Sequence, residues 1–290
     1  MIEPAILPPV DENALRVAFI GDVVGKPGMR IVCSTVPWLR REQGVQCVIA
    51  NAENAADGSG LRCKDYRRLV EHGVDGITLG DHVFRKKEII GALESESNLI
   101  RPANLPSEAP GASHMILEVD EETKIAVFSA LGRVFMKPVD CPFHAIDRQL
   151  EETVGVTPIQ IVDFHAEATS DMQIMGRYLD GRVSAVLGTH THVATADDCI
   201  LPGGTAFQSD VGMTGPFESI LGRKIDAVLE ATLKSLPTPF QVATADIRLN
   251  ATVLDLERGT GKCRSIERIE VREDYILAYQ ERLEASKKVL

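Results

Sequence analysis

Five short apolar segments, each followed at once by side chains that bind metals, constrain the fold more than any other feature. Each apolar segment is predicted to be a strand, and helix-like stretches between them indicate an α/β protein. Sites in open α/β sheets form beyond the carboxyl ends of strands, so these polar ends are expected to meet at one rim. They are Asp22 after residues 19–21, Glu53 and Asn54 after 48–52, Asp81 and His82 after 77–80, His165 after 161–164, and His190 and His192 after 186–189.

Together these side chains are three carboxylates, one amide and four imidazoles. A tetrahedral zinc site takes four ligands, so the set is too large for one such site. It suits two metal ions that share a bridging carboxylate, with one group left over for proton transfer. Oxygen and imidazole ligands without thiolate suit iron, manganese or zinc. His190 and His192 strengthen the prediction because alternate residues of a strand face the same side.

Charge limits the class of partner. The 290-residue chain has a formal net charge of −11, whereas proteins that bind a nucleic-acid backbone usually carry a basic stripe. The basic clusters at 40–41, 67–68 and 85–87 are predicted to be solvated helix faces. No polymeric nucleic acid is therefore expected as a partner. A small anionic substrate remains open if bound cations supply local positive charge.

The chain is expected to be a cytoplasmic protein with no membrane partner. No apolar run approaches the roughly 20 residues that span a bilayer. None of the six cysteines forms a C-x-x-C pair, and Cys33 and Cys47 are predicted to be buried free thiols. Residues 1–15 are Pro-rich and acidic and lack the features of a secretory signal, so they are interpreted as a loose N-terminal extension. Residues 16–290 are predicted to form one domain.

The remaining pattern predicts that the last third of the chain is rich in strands, with one helix among them and a charged helix at the end. Asn250 and Arg258-Gly259 are interpreted as turns. The predicted helices cover residues 27–43, 64–72, 86–93, 144–155, 171–178, 222–235 and 273–288. The predicted strands cover residues 16–21, 45–50, 75–79, 124–130, 159–164, 183–187, 205–209, 240–250, 251–256 and 264–271.

Seven motifs together resemble the YmdB-like family, a bacterial branch of the calcineurin-like metallophosphoesterases. The resemblance covers roughly residues 16 to 271 and implies a sandwich of two sheets flanked by helices, with a di-metal site at the sheet rim. The motifs are Gly-Asp-Val-Val-Gly at 21–25, Asn-Ala-Glu-Asn-Ala at 51–55, Gly-Asp-His at 80–82, Arg-Pro-Ala-Asn at 101–104, Asp-Phe-His-Ala-Glu-Ala-Thr at 163–169, Gly-Thr-His-Thr-His at 188–192 and Asp-Val-Gly-Met-Thr-Gly-Pro at 210–216.

The resemblance also implies an activity and a role for each site residue. The family's enzymes open the 2′ ester of 2′,3′-cyclic nucleotides and leave a 3′-phosphate, with iron as the usual metal and manganese able to substitute. A metal-bridging hydroxide would attack phosphorus, and a histidine would protonate the departing ribose oxygen. By position, Asp22, Asn54 and His192 correspond to ligands of the first metal, Asp81, His165 and His190 to ligands of the second, Glu53 to the bridge, and His82 to the proton donor.

One position departs from the family pattern. The family carries Gly-Asn-His where this chain has Asp81 between Gly80 and His82. An ionised carboxylate in place of a neutral amide should make the metals weaker Lewis acids, so the expected metal preference and rate are affected.

Two other functions stay open. One is a phosphomonoesterase or nucleotidase that uses the same site. The other is a regulatory protein that binds a metal or nucleotide without turnover, although a binder needs no proton donor such as His82. A homo-oligomer is compatible with the sequence, which does not define the subunit number.

Overall fold

A computed structural model describes residues 4–287, and its first sheet has six strands. These are β1 (Ala14–Ile20), β2 (Cys47–Asn51), β3 (Gly76–Thr78), β10 (Gly215–Pro216), β11 (Ile247–Glu257) and β12 (Cys263–Arg272). The strand order is β10-β11-β1-β2-β3, with β12 also paired to β11. β1, β2 and β3 are parallel, and β11 runs antiparallel to β1.

The second sheet also has six strands, in the order β4-β5-β6-β7-β9-β8. They are β4 (His114–Glu118), β5 (Lys124–Leu131), β6 (Gln160–His165), β7 (Ala185–Thr189), β8 (Cys199–Ile200) and β9 (Ala206–Gln208). β5, β6, β7 and β9 are parallel. The β5–β6 and β6–β7 crossovers each contain a helix, as is usual for parallel strands, whereas the β7–β9 crossover contains β8 instead.

The helices cover the outer faces of both sheets. Residues of α1, α2, α3 and α7 share one buried cluster with the first sheet, and residues of α4 and α5 share another with the second sheet. The helices are α1 (Gly25–Glu42), α2 (Cys63–Glu71), α3 (Ile89–Ser95), α4 (Pro142–Glu152), α5 (Thr169–Leu179), α6 (Ile225–Lys234) and α7 (Glu273–Lys287).

Alternate residues of a strand face opposite sides of the sheet, and here both sides are buried, so both carry apolar residues. In β1, Val17 and Phe19 point into the core between the sheets, whereas Ala18 and Ile20 pack with the helix-covered cluster. Every residue of β1 is buried. The prediction of a two-sheet sandwich flanked by helices is therefore confirmed.

Some local predictions were wrong. Asn250 is not a turn but lies inside the continuous strand β11, where its side-chain amide donates to the Met213 carbonyl at 2.8 Å. That contact satisfies the side chain and outweighs the local turn preference of asparagine. The strand predicted over 240–250 starts only at Ile247, and β4, β8 and β10 were not predicted.

The basic run at 85–87 is not on a helix face, because α3 starts only at Ile89. It lies in the turns that follow Asp81 and His82. Cys33 and Cys47 are buried free thiols, as predicted. Within residues 4–287 no helix is long and apolar enough to cross a membrane. Lys288, the predicted end of the last helix, and residues 1–3 of the predicted N-terminal extension lie outside the described residues.

Candidate metal centre

Both sheets contribute to one site where their parallel strands end. Asp22, Glu53 and Asp81 follow β1, β2 and β3, while His165 is the last residue of β6 and His190 follows β7. The polar residues that the sequence predicted to meet at one rim therefore lie together in the structure.

Gly80 allows the side chains of Glu53 and His165 to come close to each other. A Cβ atom at position 80 would collide with the Glu53 carboxylate and with the His165 ring. Only glycine leaves room for these two side chains to face each other beside β3.

Four side chains converge on one point. Ligand atoms of Glu53, Asp81, His165 and His190 all lie within 4.8 Å of one another. Nε2 of His165 is 3.3 Å from Oε1 of Glu53 and 3.5 Å from Oδ1 of Asp81. Nδ1 of His190 lies 3.8 Å from the same Asp81 oxygen. Two carboxylates and two imidazoles form a donor set that suits a transition metal.

Unpaired buried oxygens support a cation at this position. Oδ1 of Asp22 and Oδ1 of Asp81 are buried and have no hydrogen-bond partner among the described residues. Buried polar atoms are nearly always paired, so these two oxygens lack an expected partner. A bound cation would satisfy both, and the residues therefore fit a metal site.

The charges of the cluster agree with this conclusion. Burial by itself would lower the pKa of His165, but Glu53 and Asp81 raise it well above the usual range. Burial raises the pKa of Asp22 to about 7. The shift of His165 reflects the negative potential of the buried carboxylates, and that of Asp22 reflects the cost of ionising a carboxyl group away from water; a bound cation would relieve both.

A buried hydrogen-bond network orients His165. The Thr189 hydroxyl donates to Oδ1 of Asp163 at 2.6 Å, so its oxygen is left to accept from Nδ1 of His165 at 2.8 Å. Asp163 also accepts from Thr78 at 2.5 Å and from the Asn51 amide at 2.9 Å. The neutral His165 ring therefore carries its proton on Nδ1 and presents the Nε2 lone pair to the cluster. Such outer partners set the orientation and basicity of a ligating imidazole.

Asp210 holds the turn that carries His190 and His192. Both histidines have positive φ values, 113° and 66°, which is rare for residues with a side chain. Between them, the backbone N–H and the hydroxyl of Thr191 both donate to Oδ2 of Asp210 at 2.8 Å. The N–H of Gly212 donates to the other carboxylate oxygen at 2.7 Å. These bonds over-determine an otherwise unfavourable backbone.

His192 lies beside Asp22 and Asn54 on the other side of Glu53. Its Nδ1 donates to the Leu221 carbonyl at 3.2 Å, and its Nε2 lies 4.0 Å from the unpaired Asp22 oxygen. Burial lowers the pKa of His192 to about 4, so the ring is neutral and able to bind a metal. The amide nitrogen of Asn54, not its oxygen, faces His192 at 3.3 Å. Ligation by the Asn54 oxygen therefore requires rotation of its amide group.

His82 stands next to the cluster without joining it. Its Nδ1 lies 2.8 Å from Oδ1 of Asn54 and 3.3 Å from Oε1 of Glu53. The hydrogen bond with Glu53 raises the pKa of His82. With Nδ1–H engaged in this way, Nε2 is the nitrogen left to face a ligand. His82, Glu53, Asn54, His190 and His192 line one cavity of about 290 Å³.

The structure brings the eight candidate site residues together at this rim, and the sequence prediction did not include the residues that hold them in position. Most residues of this omitted set lie inside the seven motifs that resemble the family, so those motifs are the signal that could have found them. Its members are Asn51, Thr78, Asp163, Thr189, Thr191 and Asp210, together with Glu167, whose carboxylate is 3.1 Å from Nε2 of His190.

Comparison with known proteins identifies the family. The sequence profile described as "YmdB-like protein" matches residues 18–269. The chain belongs to the YmdB-like family. This finding confirms the resemblance and the prediction that the chain is an enzyme of the phosphodiesterase class.

Related sequences and solved structures match this chain over about nine-tenths of its length. The chain is 44% identical over 262 residues to "2′,3′-cyclic-nucleotide 2′-phosphodiesterase" of Bacillus subtilis strain 168, covering 90% of this chain and 99% of that protein. It is 33% identical to a "putative phosphatase/phosphodiesterase" of Mycoplasma pneumoniae, covering 90% and 95% of the two chains. A hypothetical protein from Thermus thermophilus superposes with a TM-score of 0.84 at 44% identity, covering 89% of this chain and 100% of that one. A novel phosphatase of Mycoplasma pneumoniae has a TM-score of 0.84 at 32% identity, covering 91% and 96%.

Proposed function

We propose that the chain hydrolyses small phosphodiesters, and that 2′,3′-cyclic nucleotides are its substrates and 3′-nucleotides its products. The observation that carries the proposal is the convergence of four donor atoms next to His82, whose pKa is raised and which lines one cavity together with two of the donor residues, Glu53 and His190. A metal-binding protein without turnover has no need of a proton donor at that place. The name of the Bacillus subtilis relative supports the choice of substrate.

Two metal ions per chain are proposed, because the candidate ligands form two groups on either side of Glu53. Asp81, His165 and His190 would hold one ion, Asp22, Asn54 and His192 the other, and Glu53 would be shared. Iron is proposed as the metal, with manganese or zinc as alternatives, since all three accept oxygen and imidazole ligands. When bound, such ions stabilise charge on phosphoryl oxygens and lower the pKa of water.

His82 is proposed as the general acid. Its Nδ1 lies 3.3 Å from Oε1 of Glu53, whose negative charge favours the protonated ring and which stays beside His82 when the Asn54 amide rotates to ligate. Nε2–H would then donate to the departing ribose oxygen, which is a poor leaving group without a proton. The backbone N–H of His82 donates to Oε2 of Glu53 at 3.0 Å, so the same carboxylate fixes both the main chain and the side chain.

The proposed enzyme is cytoplasmic, and its partner is a small phosphodiester. Its catalytic domain is proposed to begin at Ala14 rather than at residue 16, because Ala14 and Leu15 are buried in β1 of the first sheet. All six cysteines are free thiols, which agrees with a reducing compartment.

Elemental analysis and a substrate panel test the proposal. Protein purified without chelator should contain about two transition-metal ions per chain, and chelation should abolish activity that iron or manganese restores. Adenosine 2′,3′-cyclic phosphate should be cleaved to the 3′-phosphate much faster than adenosine 3′-phosphate is dephosphorylated. A faster monoesterase reaction would instead identify a nucleotidase, and metal without any turnover would identify a binding protein.

A further inference from the structure

A second cavity of about 340 Å³ adjoins the candidate metal centre. Asp81, Phe84, Arg85, Met136 and Lys137 are among the residues that line it, and we call it the Asp81 cavity. Its volume lies within the range of small-molecule sites, which are mostly apolar with a few polar groups.

The Asp81 cavity lies beside the cavity of about 290 Å³ that His82 lines, which we call the catalytic cavity. Asp81 belongs to the metal cluster as well as to the second cavity, whereas His82 lines the catalytic cavity. Nε2 of His82 and Oδ2 of Asp81 are only 4.0 Å apart. The adjoining space is therefore within reach of a substrate whose phosphate lies at the cluster.

Two cations line this space without an acidic partner. Neither Arg85 nor Lys137 forms an ion pair among residues 4–287, and the one acidic residue in the lining is Asp81, which the metal cluster already uses. Lys and Arg residues without an ion pair are common in the described part of this chain, so what distinguishes this pair is that both line one cavity whose one carboxylate is committed to the metal cluster. They give this cavity a positive character that suits an anion.

The cavity on the opposite side of the site differs in charge. That cavity, of about 570 Å³, is lined by His192, Arg268 and Glu270 among others. Arg268 pairs with Asp198 at 2.7 Å, and Glu270 pairs with Arg248 at 3.2 Å. Its charges are thus neutralised within the protein, whereas those of the Asp81 cavity are not.

We propose that the Asp81 cavity receives the nucleoside part of the substrate and that Arg85 and Lys137 bind a second phosphate carried on its 5′ oxygen. The inference rests on the proposed function. Apolar side chains such as Phe84 and Met136 would pack against the nucleoside, and the two cations would recognise the phosphate. The second phosphate is either a terminal monoester or the next phosphodiester of a short oligoribonucleotide.

A comparison of three substrates tests the inference on the metal-loaded enzyme. They are adenosine 2′,3′-cyclic phosphate, its 5′-phosphorylated form, and the dinucleotide ApA with a 2′,3′-cyclic end. We expect kcat/KM to be about tenfold higher with the second phosphate, as charged hydrogen bonds of ordinary strength imply. A gain for the 5′-phosphorylated form alone identifies the monoester, and a gain for the dinucleotide alone identifies the internal diester. Equal kcat/KM for all three substrates overturns the inference.

Variants locate the effect. Lys137→Gln and Arg85→Gln should each reduce the preference, expressed as a ratio to the parent cyclic nucleotide so that any change in basal rate cancels. Arg177→Gln is the matched control, because Arg177 lines a different cavity and also forms no ion pair among the described residues. The preference should shrink with added salt, since exposed charges are screened. A preference that survives in both cavity variants overturns the assignment to this cavity.

A binding measurement separates this inference from the proposed activity. Calorimetric titration with adenosine 3′,5′-bisphosphate and with adenosine 3′-phosphate should show tighter binding of the bisphosphate in the native chain, and similar affinities in Lys137→Gln. Failure to cleave adenosine 2′,3′-cyclic phosphate would count against the proposed function alone, because the titration does not require turnover. Equal affinities of the two ligands for the native chain would refute the phosphate subsite even if cleavage is normal.

Discussion

Nδ1 of His190 and Nε2 of His165 face each other at 2.9 Å. Thr189 accepts the Nδ1–H of His165, and Oε2 of Glu167 lies 3.1 Å from Nε2 of His190, which favours the proton of a neutral His190 ring on that nitrogen. With both rings neutral in these tautomers, the two facing nitrogens are unprotonated. Two lone pairs at this distance repel each other, so the arrangement requires either a proton or a metal cation between them. The raised pKa of His165 indicates that a proton takes this role in the metal-free protein.

Metal binding should therefore release protons. His165, with its pKa raised well above the usual range, is protonated at neutral pH without metal and must lose that proton to ligate. Asp22, with its pKa raised to about 7, is partly protonated near pH 7 and must also ionise to ligate, so we expect release of roughly one to two protons per chain. Metal affinity should rise with pH until both metal-free groups have lost their protons. Titration calorimetry in buffers of different ionisation enthalpy measures the number of protons. Release of none would contradict ligation by His165.

Thr189 should affect the metal through His165 without touching it. Thr189→Val removes both the acceptor for His165 Nδ1–H and the donor to Asp163. Loss of such an outer partner typically costs about 10–100-fold in metal affinity, and we expect that range here. Chelator competition measures the affinity.

Thr205→Val is the matched control for Thr189→Val. Thr205 is also buried, and its hydroxyl donates to the Val183 carbonyl at 2.6 Å, away from the site. Both variants should lose similar stability, but the control should keep its metal affinity. An equal fall in affinity for both variants would mean that general destabilisation, not imidazole orientation, is responsible.

Residues such as Thr189 mark the limit of what the sequence predicted. The strand ends could be predicted because a buried strand needs an apolar run, and the polar residue that follows it stands out. Asp163 does not stand out, since it lies inside β6 and is buried, paired with Asn51 and Thr78 from the other sheet. A contact over 112 positions in the chain leaves no local periodic signal.

Asn250 and the basic run at 85–87 are two places where local sequence preference predicted the wrong structure. Asparagine favours turns, but Asn250 lies within β11. There its backbone N–H donates to the Thr214 hydroxyl and its side-chain amide donates to the Met213 carbonyl. The run at 85–87 looked helical, yet it forms turns between β3 and α3. There the backbone N–H of Arg85 donates to the His82 carbonyl at 3.0 Å, which ties this segment to the site. At Asn250 tertiary contacts outweighed the intrinsic preference, whereas at 85–87 a local turn replaced the expected start of the helix.

His82 should matter for leaving groups that need a proton. His82→Ala should retain nearly all its metal, because His82 is not one of the four clustered ligands. Cleavage of adenosine 2′,3′-cyclic phosphate should fall by about 10²-fold or more, and an activated aryl phosphodiester should be affected much less. His114→Ala, in which a half-buried histidine outside the site is removed, should change neither rate. Equal losses on both substrates would rule out the general-acid role.

Asp81 is the position at which this chain departs from the family pattern. Its Oδ1 is buried without a hydrogen-bond partner among the described residues and lies 3.5 Å from Nε2 of His165, so it is well placed to bind a cation. An ionised carboxylate attracts the ion more strongly than a neutral amide does, especially in a partly dry site. The same charge reduces the ability of the ion to acidify water. Tighter binding and weaker activation are therefore expected together.

Asp81→Asn should separate these two effects. We expect lower metal affinity in chelator competition, and a pH–rate profile at saturating metal whose rise moves to lower pH because the ion keeps more of its charge. Asp147→Asn removes one negative charge from a surface pair with Arg182 and should alter neither quantity. If Asp81 were turned away from the metal, the affinity and the profile of Asp81→Asn would both match those of the unmodified enzyme. A profile that moves to higher pH would also be inconsistent with a charged ligand, because removing negative charge from the metal can only favour deprotonation of water nearby.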